Sequence, residues 1–80
     1  MDERYEIQAR TVERRAGTIL RDETRLAVAG SAGAALELAR EFAAEGFQAW
    51  VYAVCAQPGR TAPVYRSVTH LHPATRGPAA

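Results

Sequence analysis

Apolar and polar side chains alternate from Arg4 to Val12, and this alternation predicts a β-strand. Because successive side chains of a strand point to opposite faces, a period of two indicates one buried face and one wet face. Residues 13–17 then predict a turn, in which Gly17 adopts a positive φ without steric cost. The positions that share the predicted buried face are Tyr5, Ile7, Ala9 and Thr11.

A second strand is predicted over residues 18–29. The acidic pair Asp22-Glu23 interrupts its pattern, which indicates either a β-bulge or a second tight turn. We expect one bent strand that pairs with the first strand as a hairpin. The residues that share one face of this strand are Leu20, Thr24, Leu26 and Val28.

Apolar residues recur at helical spacing between Ser31 and Gly46, and they predict an amphipathic helix. Ser31 is placed to cap the free amides of the first turn, and Gly46 is placed to end the helix in the left-handed region. Phe47 then falls where a Schellman motif sets a hydrophobic residue against Phe42 of the last turn. The predicted apolar stripe consists of Ala35, Leu38, Ala39, Phe42 and Ala43, with Leu36 at its edge.

Residues 47–56 predict a strand in the middle of a sheet, because they are apolar on both faces. The tetrapeptide 57–60, Gln-Pro-Gly-Arg, predicts a tight turn, since proline presets φ at the second position and glycine supplies a positive φ at the third. Residues 64–71 are expected to return as the fourth strand.

The resulting order β-β-α-β-β predicts an α+β fold, a four-stranded and largely antiparallel sheet with one helix packed on one face. This single domain is expected to span residues 1–71. Residues 72–80 have two prolines, a glycine and no large apolar side chain, so they predict a flexible C-terminal tail. A chain of 80 residues buries only about 60–65% of its unfolded surface, so the core is thin.

Charge and cysteine content narrow the functional classes. Ten arginines and nine acids leave a net charge of +1, which gives no overall drive toward nucleic acid or an acidic membrane. The single cysteine excludes an intramolecular disulfide. Charged residues throughout positions 1–20 predict no signal peptide, and no apolar run reaches the roughly 18 residues of a membrane span. We therefore expect a cytoplasmic protein.

Side-chain size in the third strand is the main functional signal, because its odd positions are mostly small and its even positions are large. Small side chains suit the alanine-rich helix, so the large ones are expected on the face that one helix cannot cover. Exposed apolar patches with tryptophan, tyrosine and arginine mark protein interfaces. We expect a non-enzymatic protein-binding module that forms a homodimer and binds another protein. The expected partner-binding residues are Trp50, Tyr52, Val54, Tyr65 and Arg66.

Two alternatives exist for this aromatic face. The chain's own termini would cover the rings, or the face would bind single-stranded nucleic acid. In the second case bases stack on the rings and arginines contact phosphates. The arginines available for such electrostatic contacts are Arg10, Arg14, Arg15, Arg21 and Arg25.

Catalytic and metal chemistry find little support in the sequence. His70 and His72 share a strand face, but two imidazoles without a neighbouring acid or thiolate do not complete a metal site. Cys55 is expected to face the helix, where a buried thiol behaves as a small hydrophobic residue. No nucleophile, base and orienting group come together at a recognisable spacing. We therefore expect no enzymatic activity, no metal and no cofactor.

The segment 35–54, ALELAREFAAEGFQAWVYAV, resembles the helix–glycine–strand unit of many small α/β proteins. It is similar to half of a peptidoglycan-binding SPOR domain, in which a helix ends at a glycine and leads into a strand. That resemblance implies the local unit and carries over no functional residues. In size and in its lack of catalytic groups, the chain is also similar to phage and mobile-element inhibitors such as anti-CRISPR proteins, which implies an inhibitory binding role.

Overall fold

A computed structural model describes residues 4–73, and they follow the predicted order β-β-α-β-β. All strand pairs are antiparallel, in the sheet order β2-β1-β3-β4, and the helix packs mainly on β1 and β3. The predicted fold class is therefore confirmed. Of the predicted tail, residues 74–80 lie outside the described residues. The elements are β1 (Arg4–Arg15), β2 (Thr18–Ala29), α1 (Ala32–Ala44), β3 (Gln48–Cys55) and β4 (Val64–Leu71).

The first hairpin is longer and its turn tighter than the sequence predicts. The turn expected over residues 13–17 shrinks to Ala16 and Gly17, whose φ angles are 52° and 80°. Positive φ at both central residues is the two-residue hairpin geometry that matches the twist of the strands. Only Arg4 to Arg10 of β1 pairs with β3 as well, so among the described residues no third strand lies beside the rest of the hairpin. This two-stranded projection, residues 11–23, is called the arm.

The second strand runs without a break through Asp22-Glu23, so no second turn divides it. Its irregularity is a bulge at Leu20, which has no opposite residue where the register shifts between Glu13 and Arg14. Bulges bend a strand and increase its local twist. The expected interruption therefore exists, but it lies on the arm before the acidic pair.

The helix ends where the sequence places its caps. The Ser31 hydroxyl accepts a hydrogen bond from the Ala34 amide at 3.2 Å. At the other end Gly46 has a φ of 95°, and the Phe47 amide donates to the Phe42 carbonyl at 2.9 Å. The rings of these two phenylalanines lie 5.9 Å apart between centroids. These contacts are the Schellman motif with its hydrophobic contact, and they direct the chain into β3.

Alanine dominates the core between the helix and the sheet. Ile7 is the largest side chain that is completely enclosed. Small side chains let the helix approach the sheet closely, but each of them removes little apolar area from water. The core therefore contributes modest stabilisation. Its buried members are Tyr5, Ile7, Ala9, Ala29, Ala35, Ala39, Phe47, Ala49, Val51 and Ala53.

Cys55 corrects one expectation, because its side chain is exposed and not buried beneath the helix. It is the last residue of β3, and the first described residue of β1, Arg4, lies opposite Val54. Ala53 is the last residue of β3 that is buried, so Cys55 lies beyond the part of the strand that is enclosed on the helix side. Within residues 4–73, no helix combines the length and apolar character needed to cross a membrane.

Candidate functional site

The sheet has one face beneath the helix and one face that no described element covers. Alternate residues of β3 are buried under the helix, so the residues between them point to the other side, called the open face. Trp50, Tyr52 and Val54 lie there, each partly buried. Strand pairing extends the open face onto β1, where Gln8 lies opposite Trp50 and Glu6 opposite Tyr52.

Aromatic side chains of β3 and β4 contact one another on the open face. The Trp50 ring stacks on His70 with a centroid distance of 4.8 Å and an angle of 10°. The Tyr52 ring lies edge-on to Tyr65 at 6.3 Å and 76°. Val54 is directly opposite Tyr65 in the register. Four of the five predicted partner-binding residues are therefore brought together. The partial burial of the three residues on β3 comes from neighbours in the sheet and not from the helix, while Tyr65 is exposed.

Arg66 lies apart from this aromatic cluster. It pairs with Ala53, which is buried on the helix side, so Arg66 also lies on the helix side of the sheet. The cause is elementary, because a step of one residue along a strand reverses the face. Tyr65 and Arg66 are adjacent in sequence and do not share a surface.

A carboxylate lies beside the aromatic rings. Glu6 accepts hydrogen bonds from the Tyr65 hydroxyl at 3.1 Å and from Gln8 Nε2 at 3.2 Å. The hydrogen bond to Glu6 and the negative charge of that residue raise the pKa of Tyr65 above its ordinary value. The phenol is thereby held as a neutral donor. Negative charge at this position opposes the approach of a phosphate.

A second apolar stripe, which the sequence pattern did not identify as part of a site, follows β2 and the arm. Leu26 and Val28 are 64% and 58% exposed and lie opposite Gln8 and Glu6, hence on the open face. The only sequence signal was the shared face of the second strand. The exposed aliphatic residues of the hairpin are Val12, Ile19, Leu20, Leu26 and Val28.

Three of the five hairpin arginines form ion pairs within the chain. On the open face, Arg10 binds Asp22 through two nitrogens at 3.2 and 3.1 Å. On the helix side, Arg21 and Arg25 both bind Glu23 at 2.8 Å. Hydrogen bonds from the arginines hold the pKa of both carboxyl groups below their ordinary values.

The pair Arg21 and Arg25 has a structural role on the helix side. Their guanidinium carbons lie 5.5 and 5.7 Å from the centre of the Phe47 ring, within the range of a cation–π contact. They cover a buried ring near the end of the helix. These two arginines are therefore neither free nor on the same face as Trp50.

Arg14 and Arg15 lie beside the turn at the tip of the arm. Both are exposed, and neither forms an ion pair with any residue in the described part of the chain. Arg14 also lowers the pKa of Asp22, as expected for two charges on the open face. Because successive side chains of a strand point to opposite faces, Arg15 lies on the helix side. Within residues 4–73, the open face therefore has an unpaired arginine at each end of β1, because Arg4 lies opposite Val54 and forms no ion pair either.

The two histidines join the aromatic cluster. The rings of His70 and His72 lie 4.5 Å apart, and His70 Nε2 is 3.1 Å from Gln48 Oε1. Over residues 4–73, no three or more histidine, cysteine, aspartate or glutamate side chains are grouped to hold a metal ion. The imidazoles extend the stacked surface begun by Trp50.

A shallow apolar cavity of about 230 Å³ lies on the helix side, between α1 and β4. Small-molecule sites usually have volumes of roughly 300–1,000 Å³ and several convergent polar groups. The cavity is smaller and almost wholly apolar, so the open face is the better candidate. The cavity is lined by Tyr5, Ala32, Leu36, Val51, Val68 and Thr69.

No protein-family model, curated protein or solved structure matches this chain. The resemblance of residues 35–54 to half of a SPOR domain thus stays a local one, limited to one helix and one strand. Inference about function accordingly starts from the geometry of the open face.

Proposed function

We propose that this protein is a non-enzymatic protein-binding module, that its open face is the binding surface, and that its first partner is a second copy. One observation carries the proposal. Six of the ten residues of the buried cluster are alanines, while Trp50, Tyr52, Tyr65, Leu26 and Val28 lie on the side that no described element covers. This distribution is costly for a monomer and favourable for an interface.

The apolar part of the open face has the composition of a contact surface. Tyr65, Val28 and Leu26 are 47%, 58% and 64% exposed, and they flank the stacked rings of β3. Exposed apolar groups of this kind mark partner sites, and tryptophan and tyrosine dominate the energetics of such contacts. Polar residues of β1, including Glu6 and Gln8, run between the two apolar stripes and supply hydrogen-bonding groups.

A second copy suits the open face because the core of one chain is thin. Two sheets that pack face to face bury both inner faces in a layer about 10 Å thick. Closed two-fold dimers are the commonest soluble assemblies, and they use the same patch on both subunits. Dimerisation would thus give Trp50 and Leu26 the cover that the helix gives Ile7.

Two features of the open face favour a protein over a single-stranded nucleic acid. The Glu6 carboxylate lies among the rings on which bases would stack, and Asp22 neutralises Arg10. Arg21 and Arg25, which were candidates for phosphate contacts, bind Glu23 on the opposite side. The nucleic-acid alternative therefore loses most of its electrostatic support.

Two expectations from the sequence stay predictions. They are the cytoplasmic location and the inhibitory role, the second of which is drawn from the size class of anti-CRISPR proteins. If a foreign protein is the partner, the open face is the surface through which we expect it to bind.

The proposal is tested by measuring the mass of the protein in solution by sedimentation equilibrium. We expect wild type to approach twice the chain mass of 8.7 kDa as concentration rises. Trp50→Ala and Leu26→Arg should weaken self-association at least about tenfold, since each removes an anchor from the centre of the contact. The matched control is Val68→Arg, because Val68 is 48% exposed but lines the helix-side cavity.

Different results would reject different parts of the proposal. A wild-type monomer at high concentration, with no change in the variants, rules out the second copy as partner. Salt-sensitive binding of single-stranded DNA that Trp50→Ala abolishes would support the nucleic-acid alternative instead.

A further inference from the structure

We propose that the two copies pack open face to open face about a two-fold axis that crosses the strands at the level of Ile7, called the crosswise axis. This inference rests on the proposed function, and it specifies which side chains of the two copies meet. Leu26 of each copy lies over Val28 of the other. On the other side of β1, Trp50 of each copy lies over Tyr52 of the other.

The open face has two neighbouring rows with a large apolar side chain on each side of β1. A two-fold axis perpendicular to the strands keeps each strand over its own copy and reverses the order of the rows. An axis midway between the two rows therefore exchanges them, so that aliphatic side chains meet aliphatic ones and rings meet rings. The two rows, each given from β2 to β3, are Leu26, Gln8 and Trp50, and Val28, Glu6 and Tyr52.

The level of Ile7 lies between these rows. Ile7 and the residues opposite it, Ala27 and Val51, point to the helix side, so no open-face side chain lies on the axis and meets its own copy. Glu6 instead faces Gln8 of the second copy. Gln8 Nε2 donates one N–H to its own Glu6 at 3.2 Å, and its amide has a second N–H that can donate to Glu6 of the other chain.

The next row outward on β3 and β4 is covered as well. Val54 and Tyr65 share this row, which lies one row beyond that of Tyr52. In the second copy it meets the row of Gln48, which lies one row beyond that of Trp50. The aromatic residues of the predicted binding surface therefore lie within the contact.

The same two outer rows bring Arg4 of one copy over Arg10 of the other. Asp22 already binds Arg10 at 3.1 Å, so Arg4 meets an ion pair and not a bare cation. Both arginines are exposed at the rim of the contact, where water and salt weaken their repulsion.

A two-fold axis along β1 is the main competitor, because it also covers both apolar stripes by placing Leu26 over Trp50. It sets every open-face residue of β1 over its own copy. Glu6 then meets Glu6 at the centre of the contact, where two carboxylates lose water together, and like charges placed opposite one another are destabilising. The crosswise axis replaces that contact with one between an acid and an amide.

Neighbouring levels of the crosswise axis fit less well than Ile7. An axis at Gln8 places Val28 over Thr24, so a large apolar side chain meets a polar one. An axis at Glu6 again places that carboxylate over its own copy.

Charges introduced into the aliphatic stripe test the arrangement. Leu26→Glu and Val28→Arg should each weaken self-association about tenfold or more, because each sets a charge against an apolar side chain of the second copy. In an equimolar mixture the two introduced charges face one another, and the unchanged Val28 and Leu26 also meet. The mixture should therefore associate within about tenfold of wild type, as measured by sedimentation equilibrium.

The matched control mixes Leu26→Glu with Trp50→Arg. An axis along β1 places these two positions over one another and predicts that this mixture associates, whereas the crosswise axis predicts that it does not. Circular dichroism checks that each variant keeps its fold. Leu26 and Val28 are 64% and 58% exposed, so both stripe variants should remain folded.

The results separate this inference from the proposed function. If the folded Leu26→Glu and Val28→Arg variants fail to associate when mixed, or if Leu26→Glu associates with Trp50→Arg, the crosswise axis is overturned. The proposed function still stands when each single variant weakens association. A wild-type chain that stays monomeric at high concentration overturns both.

Discussion

The helix side and the open face of the sheet differ in side-chain size. Beneath the helix, Ala49 and Ala53 of β3 lie close to the alanine stripe of the helix, and only Ile7 is both large and wholly enclosed. On the open face the same strand presents Trp50 and Tyr52, whose ring contacts within residues 4–73 come from β4. The helix covers one side of the sheet, whereas no described element covers the other.

This difference shows which side of the sheet would gain stability if its apolar side chains were covered. Close packing of alanines excludes water but buries little area for each residue, so the helix side contributes modestly. The exposed apolar side chains of the open face, such as Leu26 and Val28, contribute fully only when they are covered. Binding at the open face and folding of the domain are therefore linked by mass action, since a partner that binds only the folded chain stabilises it.

The largest expected effect compares one aliphatic residue from each side. Ile7→Ala should reduce the free energy of unfolding by about 2–5 kcal/mol, because it leaves a cavity in a fully enclosed site. Leu26→Ala should change the monomer by no more than about 0.5 kcal/mol, since that side chain is 64% exposed. Urea unfolding at low protein concentration measures both, and equal losses would contradict the contrast between the two sides.

Overpacking of the helix side gives the next largest effect. Ala39→Leu should cost about 1–3 kcal/mol, because Ala39 is completely buried where the helix meets the sheet. Ala44→Leu is the matched control, since Ala44 is exposed on the same helix and should change stability by about 0.5 kcal/mol or less. Thermal unfolding compares them, and a stable Ala39→Leu variant would show that the helix has room to move away from the sheet.

The smallest effect concerns the two carboxylates that form ion pairs, Asp22 on the open face and Glu23 on the helix side. Asp22 and Glu23 have pKa values below the ordinary ones, mainly because arginines donate hydrogen bonds to them. Their stabilisation is therefore present above the unfolded-state pKa values, near 4, and is lost as pH falls through the lower folded values. We expect a small loss of stability from about pH 5 downward. This loss should be smaller at high salt, because the ion pairs are exposed.

Acid titration of two variants checks the origin of that loss. Asp22→Asn and Glu23→Gln should each flatten the dependence of stability on pH between about pH 5 and pH 3. Glu37→Gln is the control, because Glu37 is exposed and has no ion pair within residues 4–73. If the slope of stability against pH stays unchanged in both variants, then other carboxylates cause the loss of stability in acid.

Local patterns accounted for most of the fold. The cap at Ser31, the stop at Gly46 and the bounds of β4 agree with the structure, because hydrogen bonding at helix ends and side-chain alternation depend on a few adjacent residues. The turn of the first hairpin was predicted too wide. On the exposed arm, residues 13–15 show no apolar alternation to mark them as strand.

The candidate site was only partly predictable. The outward position of Trp50 followed from the small residues on either side of it. Other features depended on which strands are neighbours and where the helix lies. They are the side of the sheet on which Arg66 lies, the exposure of Cys55, and the stripe at Leu26 and Val28. Such features involve residues far apart in sequence, and local periodicity carries no information about them.

By itself, the amino-acid sequence determined the order of the elements, the ends of the helix and the two-sided apolar character of the third strand, all of which follow from short-range backbone geometry. Only the tertiary structure decided the strand order, the exposure of Leu26 and Val28, and the contacts that neutralise Arg10 but leave Arg14 without an ion pair within residues 4–73. The physical reason is that register and packing are set jointly by distant segments. The same side chain is therefore core or surface according to what lies opposite it.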